Sequence, residues 1–133
     1  MFSPDGRWIA YVSDESGQMQ VYVRPSGTER RWQVSTEGGT SPVWNRNGRE
    51  VFYRSGNKIM AVDVAAAGAE ATLSRPQVLF EHAYTYGATI TIANFDVAPD
   101  GQRLLMVQDE PGAGRLAIVL NWADELKRLL PAR

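Results

Sequence analysis

Along this chain, short apolar runs alternate with polar turns, and three of the runs share one preamble. Phe2-Ser3-Pro4-Asp5-Gly6-Arg7 leads into Trp8-Ile9-Ala10-Tyr11-Val12. Trp44-Asn45-Arg46-Asn47-Gly48-Arg49-Glu50 leads into Val51-Phe52-Tyr53-Arg54. Phe95-Asp96-Val97-Ala98-Pro99-Asp100-Gly101-Gln102-Arg103 leads into Leu104-Leu105-Met106-Val107. Each unit is an aromatic, a polar turn ending in Asp-Gly or Asn-Gly, a mostly polar pair and a strand-like run. Asp-Gly and Asn-Gly supply the positive φ that tight hairpins demand. A proline ahead of the pair presets the turn and cannot continue a ladder. The runs are apolar at successive positions, so the pattern predicts strands buried on both faces.

A second strand follows each run after a polar turn: Met19–Val23, Lys58–Val64 and Leu116–Leu120. Outer strands are expected at Arg30–Ser35 and, after Pro76, at Gln77–Phe80. Short strands punctuated by Gly and Pro argue for an all-β fold over alternating strand and helix. Gly6, Gly48 and Gly101 lie 42 and 53 residues apart, near the ~40–45 of a β-propeller blade with one insertion. The prediction is an all-β chain of about three four-stranded blades, a partial propeller forming a single domain over residues 1–133. The blade-like repeats span about 2–43, 44–94 and 95–120.

Three segments depart from the unit. Ala65–Ala71 is small, has no apolar stripe and is interrupted by Gly68, which predicts a surface loop. The stretch from His82 to Ile92, rich in Tyr and Thr, reads as an insertion that feeds the innermost strand of the third repeat. At the C-terminus, Asn121 can cap a helix, and Trp122, Leu126, Leu129 and Leu130 then share one helical face. Pro131 ends it. A short amphipathic helix is expected over about 122–130.

Composition changes this picture little. The formal charge is −1, which points to neither a nucleic-acid backbone nor an anionic membrane surface. The absence of cysteine removes disulfides and thiolate metal sites. No apolar run approaches the ~20 residues needed to cross a bilayer as a helix, so no membrane insertion is expected. Met1 sits directly on a repeat motif with no basic or apolar leader, and the chain is expected to be a piece of a larger protein.

Phe2-Ser3-Pro4-Asp5-Gly6, the strand Trp8-Ile9-Ala10-Tyr11, then Ser13-Asp14 and Val21-Tyr22-Val23 resemble the repeat of TolB-like, WD-repeat-like β-propellers. The second unit departs from that spelling, with Arg46-Asn47-Gly48 in place of Pro-Asp-Gly. Val119-Leu120-Asn121-Trp122 with Glu125-Leu126-Lys127 is similar to the tail of propeller regions in bacterial eukaryotic-like Ser/Thr protein kinases. The chain has no Gly-rich nucleotide loop and no catalytic-loop Asp motif, so kinase activity does not carry over. The resemblance implies a sensor or protein-interaction module, lying in its parent protein on the periplasmic or extracytoplasmic side.

The candidate chemistry is sparse. His82 is the sole histidine, and no Gly-x-Ser-x-Gly elbow supplies a nucleophile for it. Asp5, Asn47 and Asp100 recur at matching positions, but hairpin turns need such residues anyway. Asp14-Glu15 and Asp109-Glu110 could line a cation-binding rim, but solvated turns explain them more simply. Arg30-Arg31-Trp32 interleaves charge and aromatic as a nucleic-acid surface would, yet the net charge lends that no support. Tyr84 and Tyr86, aromatics in an inserted segment, are the candidate binding surface. The functional expectation is a non-catalytic propeller module for protein–protein interaction or assembly, without catalytic residues, metal or cofactor. The alternatives are a propeller hydrolase or lactonase with a metal in its central channel, or a sensor domain of a receptor-type kinase. About three blades cannot close a ring of four to eight. The expected partner is therefore another protein or a second copy, with a homodimer favoured.

Overall fold

The computed structural model describes residues 1–81, 93–110 and 113–119. Among them every regular element is a strand, and all pairings are antiparallel. The first sheet joins β1 (Trp8–Ser13), β2 (Gln20–Pro25) and β3 (Trp32–Gln33). Residues at the N-terminus flank β1, with a bridge from Phe2 to Ile9. The Ala10 amide donates to the Met1 carbonyl at 2.8 Å and the Ser3 amide to the Trp8 carbonyl at 2.8 Å. The second sheet runs β4 (Thr40–Trp44), β5 (Glu50–Ser55) and β6 (Lys58–Ala67), continued by β7 (Glu70–Leu73) and β8 (Gln77–Glu81), which both pair with β6. The third contains β9 (Phe95–Val97), β10 (Leu104–Glu110) and β11 (Ala113–Val119), with β10 central. These meandering sheets are the blades of a partial β-propeller.

Two apolar layers join the sheets. Trp8, Val21 and Val23 of the first sheet meet Val51, Tyr53 and Val62 of the second. Phe52, Ile59 and Val43 meet Phe95, Leu104 and Met106 of the third. Successive side chains of a strand point to opposite faces, so β5 sends Val51 and Tyr53 into one layer and Phe52 into the other. That is why its run is apolar at every position. Phe52 and Val51 are fully enclosed, and burying such a side chain contributes roughly 1.5–3 kcal/mol.

The outer sheets differ from the expectation of burial on both faces. Ala10 of β1 is fully buried, whereas its neighbours Ile9 and Tyr11 are only half-buried. On β10, Leu104 and Met106 are enclosed, but Leu105 and Val107 are 37% and 36% exposed. Only the middle sheet has a neighbour on each side among the described residues.

The predicted loop over Ala65–Ala71 is instead a hairpin. β6 continues to Ala67, the chain reverses at Gly68 with φ 63°, and β7 returns with Val64 opposite Leu73 and Ala67 opposite Glu70. Alanines show no periodicity, but backbone pairing requires none, and Ala71 and Leu73 anchor the arm against the first apolar layer. The arm accounts for part of the wider spacing of the second repeat. The link to the outer strand runs from Val23 to its partner Trp32 in the first sheet, and from Ala61 to its partner Gln77 in the second.

Two further differences are local. The outer strand expected over Arg30–Ser35 is reduced to Trp32–Gln33. β4 is an additional strand that the sequence pattern does not predict, since Pro42 lies inside it; Ser41 takes φ 54°, and the register with β5 shifts between Thr40 and Val43. A bulge of this kind absorbs a proline that a regular strand would refuse. The helix expected over 122–130 lies outside the described residues, as do His82, Tyr84 and Tyr86.

Candidate protein-interaction surfaces

The repeated turn residues hold their own loops. Asp5 Oδ1 accepts from Ser3 Oγ at 2.6 Å and from the Arg7 amide at 3.0 Å. Asn47 Oδ1 accepts from the Arg49 amide at 2.8 Å, and Asp100 Oδ1 from the Gln102 amide at 3.0 Å. The Arg103 guanidinium also donates to Asp100 Oδ2 at 2.7 Å. Gly6, Gly48 and Gly101 complete the turns at φ of 72°, 68° and 70°. The Ser3 hydroxyl, followed by the Arg7 amide, holds the Asp5 carboxyl below its ordinary range. The Gln102 amide, with Arg103 adding, does the same for Asp100. These acids are engaged within their turns, each on a different sheet.

One turn does more. Asn45, buried at the head of the second unit, donates from Nδ2 to Glu50 Oε2 at 2.9 Å and to the Gly101 carbonyl at 3.2 Å. It thus ties the second repeat's turn to the third's. Burial pushes the Glu50 carboxyl above its ordinary range, partly offset by the Asn45 bond. Deeper in the first apolar layer, burial pushes the Tyr53 phenol up to about 12, with the Glu37 charge adding.

Sequence places Arg30, Arg31 and Trp32 together as a charged aromatic triplet; structure shows both arginines paired with acids. Arg30 bridges to Glu70 of the β7 arm and lies 5.2 Å over the Trp32 ring. Arg31 bridges to Glu15 and lies 5.2 Å over the Tyr22 ring. Glu15 is therefore an ion-pair partner, while Asp14 contributes its carbonyl to the turn, accepting from the Gly17 amide at 2.8 Å. Asp109 and Glu110 lie at the end of β10. Among the described residues no group of three or more His, Cys, Asp or Glu could hold a metal ion.

Among the described residues, the end sheets carry apolar side chains on their outward faces. On the first sheet the strand register places Ile9 opposite Arg24 and Tyr11 opposite Tyr22, on the face away from the core. Tyr11 and Tyr22 stack at 5.7 Å and 26°, and Arg24 lies 5.9 Å over Tyr11. On the third sheet the outward face carries Leu105 and Val107. The sequence pattern predicts burial for Leu105 and Val107, which are exposed among the described residues, whereas Tyr22 is buried as expected. The apolar identity of Leu105 and Val107 was visible, but which strand would lack a neighbour was not.

Repeated Asx-Gly turns, meandering antiparallel sheets and an apolar layer between each successive pair define a β-propeller blade array. The chain belongs to the lipoprotein LpqB β-propeller domain family, whose model matches residues 2–129. Among solved structures it is similar to TolB from Acinetobacter baumannii, at 16% identity and a TM-score of 0.43. That likeness covers 90% of this chain and 40% of the TolB chain. Comparison with curated proteins gives no match.

Proposed function

We propose that this chain is a non-catalytic propeller module that acts by packing its end sheets against protein, and that the partner is a second copy. The observation that carries the reading is on β10: Leu104 and Met106 are fully enclosed, while Leu105 and Val107 present equally apolar side chains outward. Such an arrangement suits a blade lying between two neighbours. The first sheet offers the matching end, with half-buried Ile9 and Tyr11 outward of Trp8 and Ala10.

The two internal layers supply the pattern for the third. Each joins one face of a sheet to the opposite face of the next, so the first sheet of one copy continues the third sheet of another. Made at both junctions, that contact is a two-fold pairing of three-sheet arrays that closes a six-bladed ring, within the usual four to eight. The hydrolase alternative requires acids from several blades to converge on one axis. The engagement of Asp5, Asn47 and Asp100 in their own turns favours the non-catalytic reading.

Sedimentation velocity at micromolar concentration tests the pairing. A dimer is expected, and Leu105→Glu should shift it to a folded monomer. A wild-type chain that remains a compact monomer at these concentrations sinks the proposal.

A further inference from the structure

A stretch of strand edge is left open where β6 outruns its neighbour. β5 begins at Glu50, opposite Asp63, and the last rung of that ladder is the Val64 amide donating to the Arg49 carbonyl at 2.8 Å. β6 then continues to Ala67, paired through its other edge with β7. In an antiparallel ladder alternate residues direct their amide and carbonyl to the same edge. The Ser74 amide bonds to the Asp63 carbonyl at 3.0 Å on the β7 side, so Val64 and Ala66 face the β5 side. Ala66 therefore presents an amide and a carbonyl along a stretch of edge where β5 has ended.

That stretch opens into a cleft of about 920 Å³, floored by the turn that carries Arg46 and Arg49 and walled by Pro4 and Asp5. Strand edges are usually blunted by bulky charges, prolines or a covering segment. Here the edge residues are the exposed alanines Ala65, Ala66 and Ala67, which leave the backbone approachable. The charges select among ligands. Asp5 is engaged by Ser3 and the Arg7 amide, with the Arg7 charge nearby. Arg49 makes no side-chain hydrogen bond or ion pair among the described residues, and Arg46 reaches only Asp96, at 4.0 Å. Asp63 is the remaining carboxylate on the cleft. With Asp5 offset by Arg7 and Arg46 at the 4.0 Å limit of an ion pair with Asp96, the unpaired Arg49 guanidinium is the group on the cleft that selects for an acid, with Arg46 beside it.

We infer that this cleft binds an extended acidic peptide by strand addition to β6. The peptide exchanges a pair of backbone hydrogen bonds with Ala66 and sets a carboxylate against Arg49 and Arg46. Backbone bonding supplies affinity and the arginines supply selection for acidic side chains, the division of labour usual in strand addition. The site is separate from the end faces of the array, so it stands whether or not the chain pairs with itself.

The test is fluorescence anisotropy with a labelled pentapeptide, acetyl-Val-Glu-Val-Glu-Val-amide, against its lysine counterpart at low and moderate salt. The wild-type chain is expected to bind the glutamate peptide saturably, more weakly as salt rises, and to ignore the lysine peptide. Ala66→Pro removes the amide that faces the cleft and takes away no donor used in the pairing to β7. It should weaken binding about ten-fold, and Arg49→Gln several-fold. Because Ala66→Pro could disturb the arm, a glutamate peptide N-methylated at alternate amides provides a check that leaves the protein untouched, and it should fail to bind. Absence of saturable binding, equal affinity for the lysine peptide, or undiminished binding of the N-methylated peptide overturns the inference.

Discussion

Three turns with the same spelling and the same backbone angle should respond differently to one substitution. Gly6, Gly48 and Gly101 sit at φ of 72°, 68° and 70°, so alanine at any of them incurs the left-handed penalty of roughly 1–2 kcal/mol. Their surroundings are unlike. A Cβ at position 6 meets nothing within 4 Å, and at 48 it meets Pro4 Cδ at an ordinary 3.8 Å. At 101 it falls 2.5 Å from Asn45 Oδ1 and 3.3 Å from Asn45 Cγ and Nδ2. Asn45 is 2% exposed and cannot simply swing into solvent. Displacing it breaks its bonds to Glu50 and the Gly101 carbonyl, and an unsatisfied buried polar group costs about 1–3 kcal/mol. Gly6→Ala and Gly48→Ala should therefore destabilise by about 1 kcal/mol, and Gly101→Ala by about 3 kcal/mol. Urea unfolding followed by tryptophan fluorescence measures all three with a common slope. An Asn45→Ala background should bring the Gly101→Ala effect down to that of Gly6→Ala. If Gly101→Ala costs no more than Gly6→Ala in the wild-type background, the tie between second and third repeats is not what the geometry indicates.

Two other perturbations probe the layers between sheets. Phe52 is fully enclosed in the second layer, so Phe52→Ala should cost about 3–5 kcal/mol in urea unfolding; a loss under about 1.5 kcal/mol would show that the layer is loosely packed. Burial raises the Glu50 pKa above its unfolded value of 4.5, so the folded state holds that proton more tightly. The stability tied to Glu50 is then fully present below its unfolded pKa and is lost as pH rises through the folded pKa. Glu50→Gln, which keeps an oxygen for Asn45, should gain stability over the wild-type chain as pH rises from 4 toward neutrality. Equal unfolding midpoints for the two chains across that range would refute the assignment.

The turns were legible because their chemistry is local: Asx-Gly dictates a positive φ whatever surrounds it. The middle sheet was legible for a different reason. A run such as Val51-Phe52-Tyr53, apolar at successive positions, has to be buried on both sides, and β5 is. What escaped the sequence depends on backbone pairing. β4 hid behind Pro42 and the bulge at Ser41, and the β6–β7 arm hid in alanines that carry no periodicity. The sequence could flag Arg30 and Arg31 as charge beside an aromatic. It could not show that one reaches Glu70, forty positions away, and the other Glu15.

The proposed interaction surfaces were half legible, and the missing half is geometric. Leu105 and Val107 look in sequence like Leu104 and Met106, since all suit a buried strand. Their apolar character reports that burial suits them, while only the arrangement of sheets reports that no described neighbour provides it. The Ala66 edge is the opposite case. Nothing in an alanine suggests recognition, and the edge exists because β5 ends at Glu50 while β6 continues to Ala67. End faces arise from side chains suited to burial, and the cleft arises from backbone groups outrunning their partner. Substituting Leu105 should therefore leave peptide binding unchanged, and Ala66→Pro should leave the sedimentation of the chain unchanged. Crossed effects between the two would mean that they form one surface.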